Sequence, residues 1–407
     1  MGGKGALLLV LGFSLIFMVA GRNFNNMATS STDNFTNYYM DAKARNIASS
    51  GINIVANKLF LNKSLVDQTF NYNIDSGSVA VTLSTVGDQR QIVATGNFSG
   101  TTALIKLILQ SSSFSKFAYF SDNEGADIWW TTKDTVWGPF HTNGQLRVAD
   151  EPVFYGDVSI DGSLVKRSHT ANPHFYGNFE TGVHIDIPPN GVANLAAAAS
   201  AGGALFTGHP LVYFEFRGDS IRYKFSSGGS WTYALASTFA PNGVIFAADA
   251  QLRIEGVVKG QYTIGASGSG SGKGKIYLDD DVYYYTNPET DPSSTDLLGI
   301  VAYDDIVITE NWSNNHSITI QAAMYSETGS FGAEDYQHRP VSGNINLYGG
   351  LTQDTRGAVG TFYTDWWGNS IINSGFSKRY RYDDRLMTKV PPTFPSTGAL
   401  EVVSWFE

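Results

Sequence analysis

Residues 1–24 read MGGKGALLLVLGFSLIFMVAGRNF. From Ala6 to Gly21 no residue is charged, and Lys4 and Arg22 bracket the run. As a helix it spans about 24 Å, a little short of the roughly 30 Å hydrocarbon core of a bilayer. Arg22 can snorkel and mismatch costs little, so a membrane-spanning helix is one reading. A secretory signal is a second, because Val19, Ala20 and Gly21 offer small residues for a cut. The stem of a polymerising subunit is a third. The first two place everything after Arg22 outside the cytoplasm.

The continuation favours a retained stem. In YYMDAKARNIASSGINIVANKLF (38–60), small or apolar residues fall at Ala44, Ile47, Ala48, Gly51, Val55 and Leu59. That is the i, i+3, i+4, i+7 spacing of an amphipathic helix. No proline occurs before Pro139, so the pattern predicts a long helix from Ala6 to about Leu61. Asn23, Asn25 and Asn26 mark its expected weak point. Next comes FNYNIDSGSVAVTLSTVGDQRQIVATGNFSGTTALIKLIL (70–109), in which Val79, Val81 and Leu83 alternate, as do Ala103, Ile105 and Leu107. This predicts a three- or four-stranded antiparallel meander.

An apolar N-terminal helix, then ARNIASSGIN (44–53), then hairpins carrying QIVATGNFSG (91–100), resembles the type IV pilin-like proteins, particularly the PilX-like accessory pilins. The resemblance runs from Met1 to the neighbourhood of Gln110. It implies a leader MGGKG cut after Gly5 and membrane lipid as the surroundings before assembly. It also implies copies of the chain, or other pilin-like subunits, as partners through the helix. Many major pilins carry Glu at the fifth mature position; Val10 stands there, which fits an accessory subunit or a different stem-packing rule. Stems would meet through Gly12 and Ala20, with the Ala44, Ala48 and Gly51 face as a further packing surface.

From Phe117 the texture changes. WWTTKDTVWGPFHTNGQLRVADEPVFYGDVSIDGSL (129–164) alternates apolar pairs with Gly, Asn and Asp turns, and the texture returns in 242–264, 297–308, 317–331 and 341–351. Short strands at close spacing predict a β-solenoid, with a right-handed parallel β-helix favoured, or a β-sandwich. WGPFHTNGQLRV (137–148), PVFYGDV (152–158) and the ending from Gly375 also resemble a family of bacterial surface proteins in which a PilX-type stem precedes a β-helical domain of unknown function. That likeness implies architecture and location, with no known chemistry.

The expected fold class is therefore α+β, mainly β: a long N-terminal apolar helix, a small antiparallel pilin-like sheet, then a large β-solenoid (parallel β-helix) or β-sandwich region. The expected divisions are a stem helix over 1–62, a meander over 63–116, a β-helix-like domain over 117–360 and a C-terminal extended segment over 361–407. GVANLAAAASAGGALF, near 191–206, reads as a helical insertion flanked by Pro188 and Pro189.

Composition agrees with export. Charged residues are 16 %, aromatics 13 %, and there are 43 glycines. A net charge of −10 argues against a grip on nucleic acid. With no cysteine, disulfides, thiolate metal sites and thiol nucleophiles are excluded.

The groups that carry chemistry in principle are few. GASGSGSGKGKIYLDDD (265–281) lacks the glycine and hydroxyl positions of a phosphate loop and reads as a glycine-serine hairpin. His169, His174 and His184 lie near Glu180 and Asp186, at intervals that match no standard zinc site. Asp279, Asp280, Asp281, Glu289, Asp291, Asp296, Asp304 and Asp305 would serve calcium or polysaccharide hydrolysis only if stacked turns gathered them. Trp129–Trp130 and Trp366–Trp367 would alternate across a strand, with one of each pair facing out to stack on a sugar or fill an interface. Asn34, Asn62, Asn97, Asn311 and Asn315 sit in N-x-S/T triplets.

No catalytic, cofactor-binding or metal residue is assigned, and no cofactor is implied. The sequence favours a non-enzymatic structural subunit of a cell-surface pilus-like filament, or an envelope-anchored pilin-like protein with a glycan as a further partner. The alternative is a secreted carbohydrate-binding adhesin or polysaccharide-acting β-helix enzyme.

Overall fold

The computed structural model describes residues 3–86, 89–187, 190–367 and 369–407. The chain divides into two compact units, one of Met1–Ser111 with Ala399–Glu407 and the other of Ser112–Gly398. Pro188 and Pro189, expected to flank the alanine-rich helix, lie outside the described residues.

The first unit carries one helix, α1 (Gly3–Leu61), and a five-stranded sheet. Strands β1 (Gln68–Ile74), β2 (Gly77–Val86), β3 (Gln89–Phe98) and β4 (Thr101–Ser113) form an antiparallel meander, joined by the C-terminal strand Ser396–Phe406. α1 runs without a break through Asn23, Asn25 and Asn26, its expected weak point. Asparagine lowers helix propensity by only a few tenths of a kcal/mol, and no proline removes a ladder bond.

Along the second part of α1, Ala44, Ile47, Ala48, Ile52, Val55 and Leu59 are buried with Val79, Val81, Ile92 and Ala94 of the sheet. Each large aliphatic side chain so buried contributes about 1.5–3 kcal/mol. Small residues set how close the helix comes. A Cβ on Gly51 would lie 2.8 Å from methyls of both Val79 and Val81. One on Gly96 would collide with the Ala44 carbonyl of α1. The Ala44, Ala48 and Gly51 face is therefore filled by the chain's own sheet and is not free to serve as a seam between stems.

The second unit is dominated by parallel strands stacked in ladders. One ladder runs, in spatial order, through Ala204–Phe206, Val244–Ala247, Gln261–Ala266, Leu297–Ala302, Ile318–Ser326 and Val341–Thr355. It continues through Tyr119–Asn123, Phe140–Thr142, Val158–Ile160 and Phe179–Thr181. A second ladder likewise joins Ser370–Tyr382 to Thr135–Trp137, Val153–Phe154 and His174–Phe175. The stack thus begins in its own middle. The chain enters at Tyr119, proceeds to one end at Thr181, crosses to the opposite end at Ala204, and returns until Val341–Thr355 closes against Tyr119–Asn123.

The crossing includes helix α2 (Gly191–Gly202), whose buried Val192, Leu195 and Ala199 join the core of the stack. The Val192 amide donates to Glu327 (2.8 Å), and the Asn242 side-chain amide donates to the Ala198 carbonyl (2.8 Å).

In the register of the ladder, Phe140 lies beside Val158 and Val158 beside Phe179, so that successive turns place like side chains one above another. Tyr119 stacks on Phe140 at 4.8 Å and Phe154 on Phe175 at 5.2 Å, close to the spacing between adjacent strands. At one corner Gly138, Gly156 and Gly177 are superposed. A Cβ on Gly156 would strike the Gly138 carbonyl, so backbone approach alone demands glycine there.

Candidate functional site

The apolar N-terminal segment of α1 is the first candidate element. From Leu7 to Val19 the large apolar side chains of α1 are all exposed, Leu11 at 53 % and Phe17 at 72 %. Among the described residues α1 is the one helix long and apolar enough to cross a membrane. At about 1.5 Å per residue it is roughly 88 Å long, so its apolar part and its sheet-bound part are separate segments of one rod. Phe24, Met27, Phe35 and Tyr38 extend the exposed apolar surface beyond the charge-free run.

The second element lies where the start of the second unit meets its end. Glu124 is 1 % exposed and accepts from Tyr119 (2.6 Å), Ser121 (2.7 Å), Trp130 Nε1 (3.2 Å) and Arg356 Nη1 (2.6 Å). Arg356 also lies 4.2 Å over the Trp130 ring and donates to the Trp129 carbonyl. Beside it Lys378 donates to Asp134 Oδ2 at 2.7 Å, and both are buried. Burial holds the Lys378 ammonium below the ordinary lysine value. The partners of each pair stand far apart in the chain, so each pair is satisfied only when the stack has closed. Desolvated pairs of this kind are costly to break.

A cavity of about 350 Å³ adjoins this junction. Its walls include Trp129, Thr131 and Asp134 from the loop before Thr135, Arg167, Tyr336 and Gln337, and Phe362 from the hairpin formed by Gly360–Thr364 and Ser370–Tyr382.

The groups singled out in the sequence do not converge. His184 is exposed, with Nδ1 2.9 Å from Asp161 and Nε2 3.2 Å from Asp186. His169 and His174 are not partners of it. The Asp161 hydrogen bond raises the His184 pKa above the ordinary 6.5. A raised folded-state value means that its contribution to stability is complete below about pH 6.5 and is lost as pH rises through the folded value. An NMR titration should place the His184 midpoint above 6.5 and return it toward that figure in Asp161→Asn. His141 should titrate on the other side: it is fully buried between Ser159 (2.7 Å) and Asn143 (2.9 Å), and desolvation lowers its pKa.

The carboxylates are held in separate contacts along the stack, except that Asp304 and Asp305 share Lys275. Asp279 accepts from Arg253 Nε (2.9 Å) and Thr309 (2.8 Å), Asp305 pairs with Lys275, and Glu289 with Arg381. Asp296 accepts the Gly260 and Thr286 amides. No group of three or more His, Asp or Glu side chains fit to hold a metal occurs among the described residues. Asn311 donates its side-chain amide to the Asp279 carbonyl.

Residues 267–275 turn the chain from one parallel ladder into the next, rather than closing a hairpin. Strand Gln261–Ala266 lies between Val244–Ala247 and Leu297–Ala302, while Ile276–Tyr284 pairs with Gln251–Val258 and Ile306–Ile308. Trp130 is buried and Trp129 half-buried, but Trp366 and Trp367 are 96 % and 84 % exposed. They occupy the turn of a hairpin, not a strand, where Asp365 accepts the Trp367 and Asn369 amides, so alternation does not apply. The register of the stacked turns and the glycine ladder were missed; the recurrence of WGPF, FYGD and FYGN was their signal.

Residues 70–162 match a family model described as a domain of unknown function, DUF4900. No curated protein matches the chain. Among solved structures, the competence-associated pilin ComZ from Thermus thermophilus is similar at 12 % identity, over 90 % of this chain and 97 % of that one, with a TM-score of 0.30. At that score the likeness carries no weight for fold or function.

Proposed function

We propose that this chain is a non-enzymatic, pilin-like structural protein of the bacterial cell envelope. Its apolar helix would hold it in the membrane or bundle with copies of itself or with other pilin-like subunits, and its β-rich units would be displayed outward. One observation carries the reading: a single helix leaves its apolar N-terminal side chains bare while its C-terminal part is buried against a sheet. In water such a bare apolar rod is costly, and a bilayer or a bundle of stems would cover it. With the Ala44 face occupied, Gly12, Ala20 and Gly21 are among the small residues left for a seam between stems. On this reading 1–62 is the stem, 63–116 its supporting sheet, and the parallel stack a β-helix carried as cargo.

The test is the N-terminus of the mature protein, read by mass spectrometry on membrane and shed fractions. A start at Met1 or Ala6 keeps the stem and upholds the reading. A start near Arg22 overturns it.

A further inference from the structure

The cavity beside the Glu124–Arg356 junction goes beyond the anchoring reading and stands without it. Its volume of about 350 Å³ lies at the lower end of the range of ligand sites, roughly 300–1,000 Å³. Arg167 and Asp127 at its rim are exposed, so it opens to water there. Four aromatic residues, Trp129, Tyr336, Phe362 and Phe376, share the walls with hydroxyl, amide and carboxylate groups.

The site is built rather than incidental. Trp129 is held along the backbone: its carbonyl accepts from buried Arg356, and the next residue, Trp130, donates to the Arg147 carbonyl (2.9 Å) and accepts from Ala149 (2.6 Å). The Arg147 guanidinium lies 5.9 Å over the Trp129 ring, and Arg147 is not part of the cavity wall. Arg167 lies 4.8 Å over Phe362 and fixes that wall.

Two polar groups have capacity left over. Thr131 belongs to the cavity wall, and its hydroxyl is buried behind that wall with no hydrogen-bond partner. A buried hydroxyl without a partner costs about 1–3 kcal/mol, so it calls for an explanation. Lys378 carries three donor hydrogens and directs one to Asp134. Charges in the wall are balanced, Lys378 against Asp134 and exposed Arg167 against exposed Asp127, which disfavours a strongly charged ligand.

The geometry points to a neutral pyranose unit of a glycan as the occupant, its C–H face on Trp129 and its hydroxyls reaching Thr131, Lys378 and Gln337. A sugar ring is apolar on its faces and hydroxylated at its edge, which is the division of chemistry that these walls present. The exposed Trp366 and Trp367, on the hairpin that also supplies Phe362, would offer further stacking to a longer chain.

The test uses the full-length chain in detergent, titrated with cellotetraose, maltotetraose and chitotetraose, with tetragalacturonate as the charged control. Calorimetry and tryptophan fluorescence should show saturable binding of at least one neutral tetramer, with a Kd of about 1 mM or tighter. Trp129→Ala should weaken it about tenfold, the loss of one aromatic stacking contact. Thr131→Val should weaken it several-fold while leaving the unfolding midpoint unchanged or raised, since the lone hydroxyl contributes nothing without a ligand. No saturation by any neutral tetramer, tighter binding of tetragalacturonate, or Thr131→Val binding as well as the parent would each overturn the proposal.

Discussion

Replacing Arg356 by methionine should destabilise the second unit by about 3–5 kcal/mol, the cost of leaving one buried charge without its partner. Glu124 would keep its bonds from Tyr119, Ser121 and Trp130, but a carboxylate that is 1 % exposed would lose its paired cation. Urea unfolding followed by tryptophan fluorescence reads the loss directly, because Trp130 lies against the guanidinium it would lose. The double variant Glu124→Gln/Arg356→Met should recover most of the stability, since neutral groups of similar size avoid the desolvation penalty. Additive losses in the double variant would mean that the two groups are not coupled, and the strength of the junction would rest on packing alone.

The second large effect concerns the stem. Arginine at the centre of a spanning helix costs roughly 2.5–3.5 kcal/mol per residue on insertion scales, so Leu11→Arg with Ile16→Arg should cost about 6 kcal/mol or more. Fractionation should move most of the chain out of the membrane pellet. The matched control is Phe35→Arg with Tyr38→Arg, at least as exposed on the same helix but outside the charge-free run. It should leave the distribution unchanged. If both double variants stay in the membrane, the anchor is not the run from Ala6 to Gly21.

The helix and meander were legible because their signals are local. An uncharged run, the spacing Ala44–Ile47–Ala48–Gly51 and the alternation of Val79, Val81 and Leu83 each report on a face from near neighbours in the chain. The order of the stack was not legible, since Phe120 pairs with Thr352 and nothing near either residue announces the other. The site was hidden for the same reason: Trp129 and Phe362 line one cavity only after closure. Trp366 was misread because a Trp-Trp pair looks like strand until Asp365 and its amide bonds reveal a turn.

A stack that starts in its middle also sets a timetable. Phe120 is synthesised long before Thr352, its partner across the ladder. At roughly 5–20 residues per second the earlier strand waits about 10–50 s for the later one to exist. Through that interval Tyr119–Asn123 is a bare strand edge with aromatic neighbours, the condition that invites wrong pairing or the attention of a chaperone. Chains halted before Val341 should therefore aggregate from that edge, however complete the turns from Phe140 to Thr181 have become.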